Sequence, residues 1–458
     1  MRLHLGRCRS AREALMVPDA FASPYTPNTD ADREEMLRVI GVASVDDLFL
    51  DVPVEHRSPS LDLPEPQSEM ELLRYAHGLA AMNKVPGEYA CFLGAGAYRH
   101  HIPAIVKQIA TRSEFMTAYT PYQPEVSQGT LQTEYEFQSM CAQLTGMDVA
   151  NAGMYDGSTS LAEAALMAVR ITKLDRIAIL DSVSPLYREV LQTYSQAPGL
   201  KIDVVSAGRG GLEEGTACLL VQQPNFFGYM EDLAELSERA HSQGALLVVY
   251  SDPISLGLFK PPGDYDADIV AAEGQAMGVP LTFGGPYVGI FACKQRFIRQ
   301  MPGRIVGKTV DSRGRTAYVL TLQTREQHIR RERATSNICT SVALIALMST
   351  IYIAANGKRG MKRIAELCYH KSHYAASLIS DIPGYELPMD GTFFREFVVR
   401  CPLPPGEIND KLLDRSIIGG LDISAQVQNG MLVCVTEMNS REEIESFTAA
   451  LAEIGAKA

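Results

Sequence analysis

A chain of 458 residues with 46% hydrophobic residues, no Trp, and 42 basic against 54 acidic side chains for a formal net charge of −12 excludes several classes at once. It exceeds the roughly 250–300 residues at which a single core stops growing, so a large domain with at least one smaller companion is expected. The acidic balance offers no basic stripe for a phosphate backbone, which argues against nucleic acid as a partner. The longest apolar stretch, 341–355, falls short of the roughly 20 residues that span a bilayer, contains Ser and Thr, and reads as a buried helix with no role in a membrane.

Nine cysteines (Cys8, Cys91, Cys141, Cys218, Cys293, Cys339, Cys368, Cys401 and Cys434) form an odd set without a CxxC pair. That pattern speaks against a disulfide framework and against a structural zinc, so no metal is expected, and it suits a reducing compartment, by default the cytoplasm. The first fifteen residues are Arg-rich with no acid before Glu13, superficially like a transit peptide. They are very short, however, and Met16 offers a second start before a Pro-rich run, so 1–24 reads as a disordered tail or a mis-assigned beginning.

In chain order, Thr29-Asp30 with acids in the following turn and Gly41 at its end predict a capped helix. Pro53, Pro59, Pro64 and Pro66 make 50–66 an extended surface segment, and 68–83 has helical spacing. A Gly-rich loop then leads into a helix near 102–110. From Asp148 the pattern becomes regular: strands are predicted at 176–181, 202–206, 217–222, 245–250, 268–272 and 287–292, with amphipathic helices at 154–173, 185–196 and 230–243. This is an α/β domain with a largely parallel sheet covered on both faces. After about Gly357 come a long helix (360–380), strands at 393–400 and 431–435, and helices between and after them, the last at 441–454. The expected organisation is therefore an arm (25–110), a large α/β domain (111–357) and a small α+β domain (358–458).

That order of parts suggests the aminotransferase-like, fold-type I architecture of pyridoxal-phosphate-dependent transferases, although order alone does not give function. In such a fold a Lys after a late strand holds the cofactor as a Schiff base. Here the stretch after 268–272 reads EGQAMGVPLTFGGP, and no Lys lies between Lys260 and Lys294. Gly157, Ser158 and Thr159, which follow Asp156 at a helix start, form either a weak anion cup or an ordinary N-cap. Asp252 is either a partner for a pyridinium nitrogen or a plain turn residue.

The densest cluster of chemistry is Tyr119-Thr120-Pro121-Tyr122-Gln123-Pro124-Glu125-Val126-Ser127-Gln128-Gly129. Two prolines fix a backbone that carries aromatic, carboxylate, hydroxyl and amide groups; the plain alternative is a Pro-rich connector. A second cluster, 322–331, holds Arg325 and His328 and is followed by Ser336 and Asn337. It is either a carboxylate-binding surface or a solvated helix face with Glu–Arg spacing.

On these motifs, TAYTPYQPEVSQG, FQSMCAQLTGMDVANA, FGGPYVGIFA, MPGRIVG and LQTREQHIRRERATSNICT, the chain from about Tyr25 closely resembles the glycine-cleavage P-proteins, the decarboxylating glycine dehydrogenases. It is similar to their N-terminal half, which occurs in some members as a separate alpha chain (subunit 1), while the pyridoxal lysine belongs to the other half. The Arg-rich beginning lies outside the pattern.

The resemblance implies that glycine is decarboxylated on pyridoxal phosphate and its aminomethyl group passed to the lipoyl arm of H-protein. It implies a cofactor bound covalently by a beta subunit and not by this chain, in a heteromer expected to hold two of each. Tyr119, Tyr122, Glu125 and Gln128 are then the expected catalytic groups at a shared site, with Ser127, Arg325, His328 and Asn337 facing substrate or partner. Two other outcomes stay open: a catalytically silent partner of the beta chain, and a stand-alone metabolite-binding protein.

Overall fold

The computed structural model describes residues 28–57, 62, 64, 67–208, 211–338 and 342–456; the expected tail 1–24, Cys8 and Cys339 lie outside them. The chain divides into two units, 1–82 and 83–458. In the first, the helix Asp30–Ile40 begins with a capping box in which Thr29 and Asp32 satisfy each other's backbone N–H, and Gly41 ends it in the left-handed region. The helix Glu69–Ala80 starts with the same device, Ser68 with Glu71. The segment expected to run extended includes a 3-10 turn, Val54–His56, placed directly after Pro53.

The second unit is built on a seven-stranded sheet in the spatial order Val149–Ala150, Gly289–Cys293, Ile269–Glu273, Leu246–Ser251, Thr216–Gln223, Arg176–Leu180, Lys201–Val205. The last five are mutually parallel, and the first two complete the edge in antiparallel pairing. The six long strands fall within a residue or so of the predicted ones. Each of the four central strands is buried almost throughout, the condition that makes a parallel strand a continuous apolar run.

The helices Gly157–Thr172, Pro185–Gln196 and Leu233–His241 match the predicted positions with shorter ends. The two predicted helices on either side of Gly357 are one element, Ala343–Ser380, interrupted only by the non-helical backbone of that glycine. Its first half buries Ala346, Leu347, Ile351 and Tyr352, as the apolar run requires, and among the described residues no helix is long and apolar enough to cross a membrane.

The helix Gln128–Thr145 and two further features were absent from the sequence reading. An antiparallel hairpin, Ile305–Val310 with Thr316–Thr321, packs Val306 and Leu320 on Leu131 of the helix Gln128–Thr145. A short strand, Ala90–Cys91, pairs in parallel with Ile417–Ile418, which places Phe92 in the C-terminal layer, stacked on Phe447 at 4.1 Å. That layer is a three-stranded sheet ordered Glu396–Arg400, Gly430–Cys434, Leu421–Asp422, with helices Pro405–Leu413 and Arg441–Gly455.

Candidate functional site

In open α/β sheets ligands bind in the crevice beyond the carboxyl ends of the strands. Here those ends deliver Gln222, Tyr250, Asp252 and Glu273, and the chain brings Tyr98, Tyr187, Arg395 and Glu396 against them. The crevice is filled by its own side chains. Arg395, 2% exposed, pairs with Asp252 Oδ2 and lies 3.4 Å over the Tyr98 ring. Burial opposes its charge, but Asp252 together with Tyr98, Cys434 and Cys368 more than offsets this and raises the guanidinium above its ordinary value. The other oxygen of Asp252 accepts from the backbone of Ile254 and Ser255, so the aspartate is both turn residue and ion-pair partner.

Arg395 also donates to His100 Nε2 at 2.6 Å; since Arg can only donate, the imidazole proton sits on Nδ1 and is shared with Glu437 at 2.7 Å. Burial alone would raise the Glu437 carboxyl, but the His100 hydrogen bond and the backbone N–H of His101 hold it at about 2. His100, Cys368 and Glu437 lie close enough to share a metal ion. They already hydrogen-bond one another, and the Arg395 cation on the same imidazole makes a second cation unfavourable there. Glu396 spans the crevice mouth, accepting from Ala95 N at 2.6 Å and Tyr98 Oη at 2.7 Å.

At the helix start at Gly157 several donors are likewise engaged. Gly157 N donates to Glu273 Oε2 at 2.7 Å and Thr159 N to Asp156 Oδ1 at 2.9 Å, while Ser158 Oγ donates to the same Asp156 oxygen. A carboxylate stands where a phosphate would need those donors. Burial raises the Glu273 carboxyl to about 7, even against three backbone N–H groups that favour its ionised form. In the loop where a Schiff-base lysine is expected, the buried Gln275 spends its amide on the backbone of Tyr98 and Val279. The crevice at Arg395 keeps a cavity of about 30 Å³, room for a water or two, while a wider cleft of about 490 Å³ opens beside it, lined by Tyr155, Asp156, Ser158, Tyr187, Glu273 and Tyr287. The residues present therefore do not suit a covalently held pyridoxal phosphate: the amine is missing between Lys260 and Lys294, Gly157 N and Thr159 N are already engaged, and Arg395 fills the crevice at Asp252.

The two motifs singled out in the sequence meet elsewhere. Tyr122, half exposed, meets the His328 ring edge-on at 5.6 Å, and Arg304 lies 5.8 Å from the same tyrosine ring. Glu326 faces both, at 3.7 Å from Arg304 Nε and 3.6 Å from His328 Nδ1. Tyr119 and Glu125 are exposed, and Ser127 is half buried at the helix start without a side-chain capping bond.

Gln128 is occupied. Its Nε2 donates to Pro124 O and Tyr318 O, and its Oε1 accepts from Tyr318 N, so it clamps the loop to the hairpin. Arg325 donates to Leu322 O and Gly303 O, and burial pulls its guanidinium below its ordinary value. Asn337 is exposed, while its neighbour Ser336 donates to the buried Glu163 at 2.6 Å. The sequence reading missed Arg304 and Glu134. Arg304 lay inside a quoted motif, and Glu134 had a signal: it is three residues from Leu131 and from Phe137, on the buried stripe of its helix.

Sheet order, the long linking helix and the small C-terminal layer define the fold of the fold-type I pyridoxal-phosphate-dependent enzymes. A sphingosine-1-phosphate lyase of Burkholderia pseudomallei shares this fold, with a TM-score of 0.61 at 15% identity over 87% of this chain and 93% of that one. Residues 23–451 match the family described as Glycine cleavage system P-protein, and the chain belongs to that family. It is 50% identical to a probable glycine dehydrogenase (decarboxylating) subunit 1 of Desulforamulus reducens, covering 94% of this chain and 99% of the relative. A crystal structure of glycine decarboxylase, the P-protein of the glycine cleavage system, in inhibitor-bound form superposes with a TM-score of 0.88 at 44% identity, covering 94% and 99% of the two chains.

Proposed function

We propose that this chain is the subunit of a glycine decarboxylase that lacks the Schiff-base lysine, and that it completes an active site whose pyridoxal phosphate is held by a separate subunit bearing that lysine. The observation that carries the reading is the contrast within one chain: Arg395 and Asp252 close the crevice where the fold would hold the cofactor, while an aromatic, acidic loop stands exposed around Tyr119, Tyr122 and Glu125. The relatives' designation as subunit 1 supports a complex of more than one kind of chain.

In this reading Tyr119 and Tyr122 line the glycine pocket and Glu125 and Ser127 offer hydrogen bonds to substrate. Gln128 and Arg325, whose donors are spent on backbone, hold those groups in place. His328 works beside Tyr122, and Asn337 faces the partner. The assembly is two of each chain, the aminomethyl acceptor is the lipoyl arm of H-protein, and the compartment is the cytoplasm.

A second reading, a partner that only shapes the lysine-bearing chain, is favoured by the wholly backbone-directed bonds of Gln128. Exchange of the glycine carboxyl with CO₂ separates the two. It is measured with each chain alone and with both, in the presence of pyridoxal phosphate and H-protein. The proposed function requires activity only in the mixture. Full activity of the lysine-bearing chain by itself would reduce this one to a structural or regulatory companion.

A further inference from the structure

The helix Gln128–Thr145 turns Glu134 inward, where it is 2% exposed. Among the described residues its Oε2 has no hydrogen-bond partner, and neither has Oε1 of the buried Glu326. Gln138, one helical turn beyond Glu134, clasps the backbone of Val306, which brings the stretch holding Arg304 to this helix; Arg304 is the charge that draws the Glu134 carboxyl down and the ion-pair neighbour of Glu326 at 3.7 Å. It is also the cation beneath the Tyr122 ring, and Glu326 is also the neighbour of His328. Two buried carboxylates thus compete for one cation whose place governs the two rings of the proposed pocket. A carboxylate without a hydrogen bond at that depth is costly, and an apolar side chain would fill the stripe between Leu131 and Phe137 at no such cost.

We propose that Glu134 is a positioning residue that sets the alkaline limit of the pocket. Protonated, it leaves Arg304 to Glu326, Tyr122 and His328. Ionised, it draws Arg304 towards the helix and puts a second negative charge behind a surface that receives an anionic substrate. This rests on the reading of residues 119–128 as substrate-facing.

The charges that reach Glu134 are few. Burial raises its carboxyl to about 7, Arg304 drawing it down and Glu326 pushing it up. The hairpin and the helix Ala343–Ser380, packed on the same helix, add no charge to that balance. The switch therefore falls in the range where the protein can be assayed in both states.

The test is glycine-carboxyl exchange by the assembled two-chain enzyme across about pH 6 to 9, comparing wild type, Glu134→Gln, Glu134→Asp and Tyr122→Phe. Thermal unfolding of this chain at each pH is followed in parallel. Wild type is expected to lose kcat/KM for glycine by about tenfold per pH unit above the Glu134 ionisation. Glu134→Gln should stay within about twofold over the same range, with Glu134→Asp keeping an alkaline limb. Followed from about pH 4, the melting temperature of Glu134→Gln relative to wild type should rise between about pH 4.5 and 7 and level off above that, because the folded wild type holds its proton until the pH passes the raised value.

An unchanged alkaline limb in Glu134→Gln beside a damaged Tyr122→Phe would overturn this proposal alone. Full activity of Tyr122→Phe would overturn the loop reading and the proposal with it. A melting difference independent of pH between about 4.5 and 7 would show that Glu134 does not titrate at a raised value within the fold, which also overturns it.

Discussion

Arg395 and Asp252 form an ion pair across the carboxyl ends of the parallel strands, joining residues 143 positions apart. Both are nearly removed from solvent, and Arg395 is held further by His100 and the Tyr98 ring. Breaking one partner of such a pair leaves an uncompensated buried charge, which typically costs about 3–5 kcal/mol, whereas replacing both by apolar groups costs far less. Asp252→Asn and Arg395→Met are each expected to lower stability by that amount, and the double variant by clearly less than their sum. Urea unfolding of the four proteins in a double-mutant cycle checks this.

The same pair bears on cofactor affinity. Pyridoxal phosphate added to the isolated chain is expected to give no internal-aldimine absorbance, because no Lys lies between Lys260 and Lys294 and the anion donors at Gly157 and Thr159 are taken. Neither Asp252→Asn nor Arg395→Met should create such a band, since neither supplies an amine.

Acid stability should turn on Glu437. Burial pushes its folded carboxyl up, but His100 and the backbone N–H of His101 together hold it at about 2, below the ordinary 4.5. A depressed carboxyl stabilises the fold above its unfolded value, and that contribution is lost as pH falls from about 5 towards 2. A depression of this size is worth about 3 kcal/mol. Glu437→Gln is expected to be less stable than wild type at neutral pH and to approach it in acid, as denaturant titrations at several pH values would show.

The large sheet was legible because parallel strands covered on both faces must be apolar throughout, and runs such as 217–222 and 245–250 admit little else. The hairpin was not: Lys308, Thr309 and Val310 are exposed, so its sequence carries no buried alternation. Both chemical motifs were visible, but their meeting was not, because Arg304 and Glu326 join them through contacts of long sequence separation. Gln128 looked catalytic by composition, yet its amide faces a hairpin that the sequence did not announce. The filled crevice was foreshadowed only by the missing lysine, since Arg395 and His100 carry no local pattern.

Gly228 shows how closely the crevice wall is packed. Its φ of 93° is left-handed, and a Cβ there would lie 2.0 Å from the carbonyl oxygen of Glu396. Gly228→Ala is expected to cost about 3 kcal/mol or more through strain and displaced backbone. Because the same backbone carries the Glu396 bridge to Ala95 and Tyr98, amide exchange at Ala95 should quicken with it.

The loop at 119–128 separates holding from contacting, and two variants tell them apart. Gln128→Ala removes three hydrogen bonds between the helix start, Pro124 and the hairpin, so it is expected to lower stability by about 1–3 kcal/mol and expose the Tyr318 amide to exchange. Tyr122→Phe removes one hydroxyl from a half-exposed ring and should leave stability within about 0.5 kcal/mol. In the assembled enzyme the order reverses: Tyr122→Phe and Glu125→Gln should reduce decarboxylation strongly with assembly intact, while Gln128→Ala loses activity together with loop order. Unfolding curves, exchange at Tyr318 and glycine-carboxyl exchange on the same preparations decide it. Equal activity losses without any change in Tyr318 exchange would place Gln128 beside the substrate after all.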